Sequence, residues 1–161
     1  MTRFEDPAWT YHTILELPNG GILAQGGYYS VPIKGFDVVM YTAAEFEPPP
    51  DPGTNTYEMS GIARFPTTLN YWAPNLDTEN LAHAKQMSKA AKVAAAVIYK
   101  HLKEGKRVLC TCAQGRNRSG LANGFALRKF GMTGDEAVRL IQEKRPTALT
   151  NELFCKMIRE S

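Results

Sequence analysis

Val108-Leu109-Cys110-Thr111-Cys112-Ala113-Gln114-Gly115-Arg116-Asn117-Arg118-Ser119-Gly120 is the stretch on which the reading of this chain turns. Its first four residues are apolar or β-branched and read as a buried strand. From Arg118 or Ser119 onward the pattern becomes helical and runs to Phe130. Between them lies a short loop ending at a helix N-terminus. Such a loop points several backbone N–H groups at one spot, and the helix dipole adds positive potential. A phosphate fits there. Gly115 permits a backbone turn that a side chain would obstruct. Arg118 can grip two phosphate oxygens with its planar fork. The same field stabilises a thiolate on Cys112, six residues before Arg118, and makes it a candidate nucleophile. Ser119 is placed to hydrogen-bond that sulfur and help it leave. The phosphate-binding residues expected from this reading are Ala113, Gln114, Gly115, Arg116, Asn117 and Arg118. Cys110 shares a strand face with Cys112 and reads as packed interior. Arg116 reads as solvated, or as widening the positive field toward polyanionic substrates.

Working outward, Gly105 closes a helix expected from about Glu79 to Leu102. Ala84, Ser88, Ala91, Ala95, Ile98 and Leu102 line its apolar face. Lys85, Lys89, Lys92, Lys100 and Lys103 fall within an arc of about 80° elsewhere on it. A solvated surface is the ordinary meaning of such a stripe; a docking face for an acidic partner is the alternative. Downstream, Thr133 and Glu136 form a capping box, Pro146 stops that helix, and a last helix spans about Asn151 to Arg159. Upstream, Ile14–Leu17 and Ile22–Ala24 flank Asn19-Gly20 as a hairpin, and Phe36–Tyr41 and Gly61–Phe65 read as strands. Four prolines within Pro48–Pro52 exclude helix and central strand, so this segment reads as a long surface loop. Strands first, then helix–strand–helix, predicts an α/β domain: a mostly parallel central sheet flanked by helices.

The whole of 1–161 fits one domain, because 161 residues with 43% hydrophobic and 22% charged side chains suffice for a single core. A net charge of +3 is too small to argue for nucleic acid. No apolar run reaches the roughly 20 residues a membrane span needs. The first residues lack an apolar signal core and the three cysteines are odd in number, which points to a reducing, cytoplasmic setting. His12, His83 and His101 show no metal-ligand spacing.

Cys112, Gly115, Arg118 and Ser119 match the protein tyrosine phosphatase signature H-C-x-x-G-x-x-R-[ST], with Thr111 in place of its histidine. Size and flanking sequence resemble the dual-specificity phosphatases. Arg145-Pro146 followed by Asn151 and Phe154 resembles that family's closing element, and Gly20–Gly27 its opening strand and turn. The resemblance implies a cysteine-dependent phosphatase working through a phosphocysteine, with no metal or other cofactor. It implies a general acid on a loop before the long helix. Here that loop is Tyr71–Glu79 and the matching residue is Asp77, with Glu79 as fallback and a helix N-cap as the structural alternative. Tyr28, Tyr29, Tyr71 and Trp72 read as packing, although Trp72 lies near enough in sequence to line the cleft. A phosphorylated protein or peptide is the expected partner of a monomeric enzyme. Phosphoinositides and RNA 5′-phosphates are the rival substrates. A rhodanese-type sulfur-transfer enzyme and a catalytically dead phosphate-binding module are the rival classes.

Overall fold

Asn19 and Gly20 make the first turn. Gly20 adopts a positive φ of 94°, and the Gly21 N–H donates to Asn19 Oδ1 at 2.9 Å. The strands on either side, β1 (Tyr11–Glu16) and β2 (Ile22–Gly27), pair antiparallel as the hairpin signal predicts, with an irregularity between Thr13 and Leu15. The structure is a computed structural model that describes residues 7–30, 35–42, 62–65, 68–72 and 84–161. The remaining strands are β3 (Val38–Tyr41), β4 (Ile62–Phe65), β5 (Thr68–Trp72) and β6 (Arg107–Cys112). The helices are α1 (Ala84–Lys103), α2 (Arg118–Lys129), α3 (Gly134–Lys144) and α4 (Glu152–Arg159).

The sheet order is β1-β2-β6-β3-β5-β4. The inner pairings β2–β6, β6–β3 and β3–β5 are parallel, and the outer pairs β1–β2 and β5–β4 are antiparallel. The expected α/β sheet flanked by helices is therefore observed, in mixed form. One correction concerns Tyr71 and Trp72. They end strand β5 rather than opening a loop, because parallel pairing with Met40 and Tyr41 of β3 draws them into the sheet. Asp77, Glu79, the polyproline stretch 48–52 and the first expected turn of the long helix lie outside the described residues.

Alternation along the inner strands divides the interior. Val108 and Cys110 of β6, Val38 and Met40 of β3, and Leu23 of β2 join residues of all four helices in one large apolar cluster. Leu109, Val39, Tyr41 and Ala24 face the other way into a smaller one. On α1 the buried residues are Met87, Ala91, Ala94, Ala95, Ile98, His101 and Leu102. The apolar stripe expected from the sequence is thus correct at Ala91, Ala95, Ile98 and Leu102, whereas Ala84 and Ser88 are half-exposed. His101 enters the core by bonding: its Nε2 lies 2.9 Å from the Tyr71 hydroxyl. The Thr133–Glu136 capping box closes in both directions, at 3.1 and 3.2 Å. Asn151 caps α4, accepting from Leu153 N and Phe154 N. These caps fix the direction in which the tail returns to the end of β6.

Candidate active site

β6 is the central delivery strand, with β2 on one side and β3 on the other. By its alternation Cys112 projects on the same face as Cys110, toward the helices, while Thr111 faces away. Cys112 is only 3% exposed, and its Sγ lies 3.3 Å from Ser119 Oγ in the first turn of α2. A cavity of about 360 Å³ opens above it, lined by Cys112, Ala113, Gln114, Arg116, Asn117, Arg118 and Thr150. All the expected phosphate-binding residues except Gly115 line this hollow. Gly115 lies behind it, buried.

The loop's shape follows from where its carbonyls go. Ala113 O accepts from Tyr28 N at 3.3 Å. Gln114 O accepts from Arg145 Nη2 at 2.9 Å. Gly115 O accepts from both Gln25 Nε2 (2.9 Å) and Arg145 Nε (2.8 Å). Arg116 O accepts from Leu149 N at 2.9 Å, and Asn117 O from Leu121 N at 2.8 Å. The described chain has no cis peptide bond, and in a trans peptide the N–H points opposite to the C=O. Tying the carbonyls of 113–117 to the scaffold therefore turns the N–H groups of 114–118 toward the cavity. Such a backbone cradle, with the N-terminus of α2 at its end, is suited to hold an anion. Gly115 makes it possible: its φ is 65°, and a Cβ there would sit 2.3 Å from the carbonyl carbon of Gly26.

The residues that hold the loop are Arg145 and Gln25, which the sequence placed in the closing and opening segments without giving them a role. Arg145 is 1% exposed. Besides Gln114 and Gly115 it bonds Pro7 O (2.9 Å), His12 Nδ1 (2.8 Å) and, weakly, Thr10 Oγ1 (3.5 Å). Burial pushes its pKa down to about 10, so it remains cationic at neutral pH and adds positive potential behind the loop. Burial and the Arg145 charge lower the pKa of His12, consistent with a neutral ring accepting from the guanidinium. Gln25, fully buried on β2, donates to the loop and accepts from Asn123 Nδ2 of α2 at 3.0 Å. One signal was available: Gln25 is a lone polar residue in an otherwise apolar and glycine-rich strand.

The tail completes the clamp. Leu149 holds a positive φ of 53°, uncommon outside glycine, between its N–H bond to Arg116 O and bonds to its own carbonyl from Gln142 Nε2 and Cys155 Sγ. Asn151 N donates to Asn117 Oδ1 at 2.8 Å, and Asn117 Nδ2 donates to Thr150 Oγ1 at 3.1 Å. The Arg-Pro…Asn segment thus embraces the loop from behind.

Thr111 is buried, and its hydroxyl has no hydrogen-bond partner among the described residues. Its peptide is fixed through the carbonyl, which accepts from Thr42 N and Thr42 Oγ1, both at 2.7 Å. Arg116 is half-exposed and lines the cavity. Cys110 sits in the core, its thiol pKa raised well above the ordinary value by burial and by the neighbouring Cys112. Cys155 is raised by burial, then by Glu152. No group of metal-ligating side chains occurs among the described residues. No described helix is long and apolar enough to cross a membrane.

The family model described as the dual specificity phosphatase catalytic domain matches residues 31–161. No curated protein is a recognisable sequence relative of the chain. Among solved structures, a mouse putative dual specificity phosphatase complexed with zinc tungstate is 16% identical, covering 99% of this chain and 89% of its own, with a TM-score of 0.64. The human tyrosine phosphatase-like serine/threonine/tyrosine-interacting protein is 20% identical, covering 93% of each chain at a TM-score of 0.62. PTPMT1 in complex with PI(5)P is 15% identical, covering 94% of this chain and 93% of its own, at 0.58. At such identities the likeness concerns the fold.

Proposed function

Since the chain belongs to the dual specificity phosphatase catalytic-domain family, we propose that it hydrolyses phosphomonoesters with Cys112 as nucleophile. One observation carries this reading: the Cys112 sulfur, 3.3 Å from Ser119 Oγ, lies at the floor of a backbone cradle. A dianionic phosphate seats in the cradle with Arg118 across its oxygens. The thiolate attacks phosphorus in line; an S–P bond forms and the bond to the leaving oxygen breaks. Asp77 gives that oxygen its proton. The inward N–H groups and Arg118 stabilise the charge on the equatorial oxygens. Asp77 then takes a proton from water, which attacks phosphorus and expels the thiolate, while Ser119 donates to the departing sulfur. Fixed positive charge from the chain itself does the work a metal does elsewhere.

The substrate we assign is a phosphorylated protein or peptide in a cytoplasmic setting, with one domain over 1–161 acting as a monomer. A phosphoinositide is the second reading. It is favoured by the likeness to PTPMT1, solved with PI(5)P, and by Arg116 lining the cavity beside the cradle.

Turnover of p-nitrophenyl phosphate tests the chemistry. Wild type should be active, blocked by vanadate and indifferent to chelator. Cys112→Ser should lose all but a few per cent of turnover while still binding vanadate. Substantial activity in that variant, or silence of the wild type, overturns the nucleophile. A phosphotyrosine peptide and PI(5)P, compared by kcat/KM, decide between the two substrate readings.

A further inference from the structure

Across α1 and α2 the sequence carries no aspartate or glutamate, although the chain as a whole is only +3. Lys85, Lys89 and Lys92 on the first half of α1 are all exposed, and none has a carboxylate partner among the described residues. Like charges three and four apart on a helix repel and destabilise it. Between these lysines the surface is hollowed and apolar: Lys85, Ser88, Lys89, Lys92, Val93 and Ala96 line one shallow groove, and Val93 is 45% exposed. A second hollow lies on the far side of Lys92, toward Lys129 of α2. The Lys92 ammonium stands 5.3 Å from the Phe125 ring centroid, so it is held at the ridge between the two hollows.

The strip also has a direction. Asn19 in the β1–β2 turn donates to Leu102 O at 3.0 Å, which pins the C-terminal end of α1 to the end of the sheet where β6 begins. A helix of 20 residues is about 30 Å long, longer than a six-residue strand. Lys85 therefore lies toward the end where β6 delivers Cys112.

We propose that this face of α1 docks an extended acidic peptide segment of a protein partner, running toward the active-site end. Spacing supports an extended strand: lysines four apart on a helix rise about 6 Å, and alternate side chains of an extended chain recur about every 6.6 Å. An apolar side chain in the next place facing the same way then falls on Val93 and Ala96. The chemistry disfavours other polyanions. Single-stranded nucleic acid calls for exposed aromatic stacking platforms, and the exposed large apolar residues among those described are Trp9, Tyr11, Tyr29 and Val93, of which only Val93 is on α1. A membrane surface calls for a helix with large apolar side chains on its free face, and Val93 alone does not supply one.

The probe is a fluorescein-labelled nonapeptide alternating glutamate and serine around a central leucine, followed by fluorescence anisotropy on the whole chain. It should bind, weaken as salt rises, and bind at least about tenfold more weakly when Lys85→Glu, Lys89→Glu and Lys92→Glu are combined. If that triple variant melts well below wild type, the milder Lys89→Gln, Lys92→Gln pair is read instead, with a loss of threefold or more expected. Binding is the readout, so the result stands apart from the catalytic assignment. The proposal is overturned if the peptide binds no better than its glutamine counterpart, or if the lysine variants bind it as wild type does. It is also overturned if a single-stranded RNA or phosphatidylserine vesicles bind more tightly than the peptide through the same lysines.

Discussion

Replacing Arg145 by methionine should disable the loop without touching any residue that faces the cavity. Arg145 holds Gln114 O at 2.9 Å, Gly115 O at 2.8 Å and Pro7 O at 2.9 Å. Gly115 O keeps Gln25 and Pro7 O keeps Thr10 N at 3.4 Å, whereas Gln114 O loses its guanidinium bond. A buried acceptor left unpaired costs about 1–3 kcal/mol. Methionine recovers some of the desolvation that a buried cation entails. The net loss should be about 2–4 kcal/mol, or a fall in Tm of about 5–15 °C for a chain this size. Catalysis should suffer more than stability. The freed Gln114 carbonyl lets the 114–115 peptide rotate, the 115–116 peptide is left to Gln25 alone, and the N–H groups they carry drift from the cradle. Losing one aligned oxyanion donor typically costs about 10²–10³-fold in kcat. Assayed on p-nitrophenyl phosphate well below the variant's Tm, kcat should fall about 100-fold with KM less affected. Arg145→Lys should restore little, because one ammonium cannot span three carbonyls. A folded Arg145→Met protein within threefold of wild-type kcat would refute the idea that outward carbonyl ties aim the N–H groups.

Gly115→Ala should be nearly as harmful by a different route: its Cβ meets Gly26 backbone at 2.3 and 2.4 Å, so the loop must shift. A displacement of about 1 Å can cost about 10²-fold, read as kcat/KM on the same substrate. Asp77→Asn should lose about 10²–10⁴-fold on an alkyl phosphate and far less on p-nitrophenyl phosphate, whose leaving group scarcely needs a proton; equal losses would make Asp77 a cap only. For His101, burial and then Lys106 lower the pKa, so the unfolded chain binds a proton more readily than the folded one. Stability linked to this ring is complete above the unfolded value of about 6.5 and is lost as pH falls below it. Urea midpoints at pH 7.5 and 5.5 should therefore differ more for wild type than for His101→Gln; His12, lowered in the same direction, is present in both.

The strand–loop–helix at 108–120 was legible because its parts announce themselves locally: an apolar run, a glycine that a side chain would block, an arginine and serine at a helix start. Capping at Thr133 and Asn151 was legible for the same reason. Strand β5 was not. Thr68–Trp72 is only five residues long, closely flanked by Pro66 and Pro74, and it becomes a strand through parallel pairing with β3, a partner about 30 residues upstream. Gln25 and Arg145 were hidden differently. Each is a polar residue whose partners lie on other elements: Gly115 is 90 residues from Gln25 and 30 from Arg145. Composition treats such side chains as surface. Only the fold reveals that a loop with all its N–H groups turned inward leaves carbonyls behind it that buried donors must satisfy.

Cys110 and Cys112 show what the end of β6 accomplishes. Two residues apart on one strand face, they share a chemistry and differ in environment. Cys110 pairs in register with Gln25 and Met40 on either side and has no exposed surface. Its sulfur reaches the Ser119 carbonyl in a weak contact at 3.9 Å, and burial resists any charge on it. Cys112 is the last residue of β6, paired to Gly27 and beyond the β3 register, which ends at Thr111. There the strand gives way to the loop, the neighbour becomes the Ser119 hydroxyl instead of its carbonyl, and a cavity opens. An ammonium or guanidinium is not needed beside each thiol to tell them apart. Shifting β6 by two residues would bury Cys112 where Cys110 now sits and leave the loop without a nucleophile. The pairing that blocks such a shift is set by the partners of β6: Asp37 Oδ2 accepts from Arg107 N at 2.9 Å at one end, and Thr42 binds Thr111 O at the other. The register of a buried strand, fixed 70 residues away in sequence, thus selects which cysteine meets the cavity.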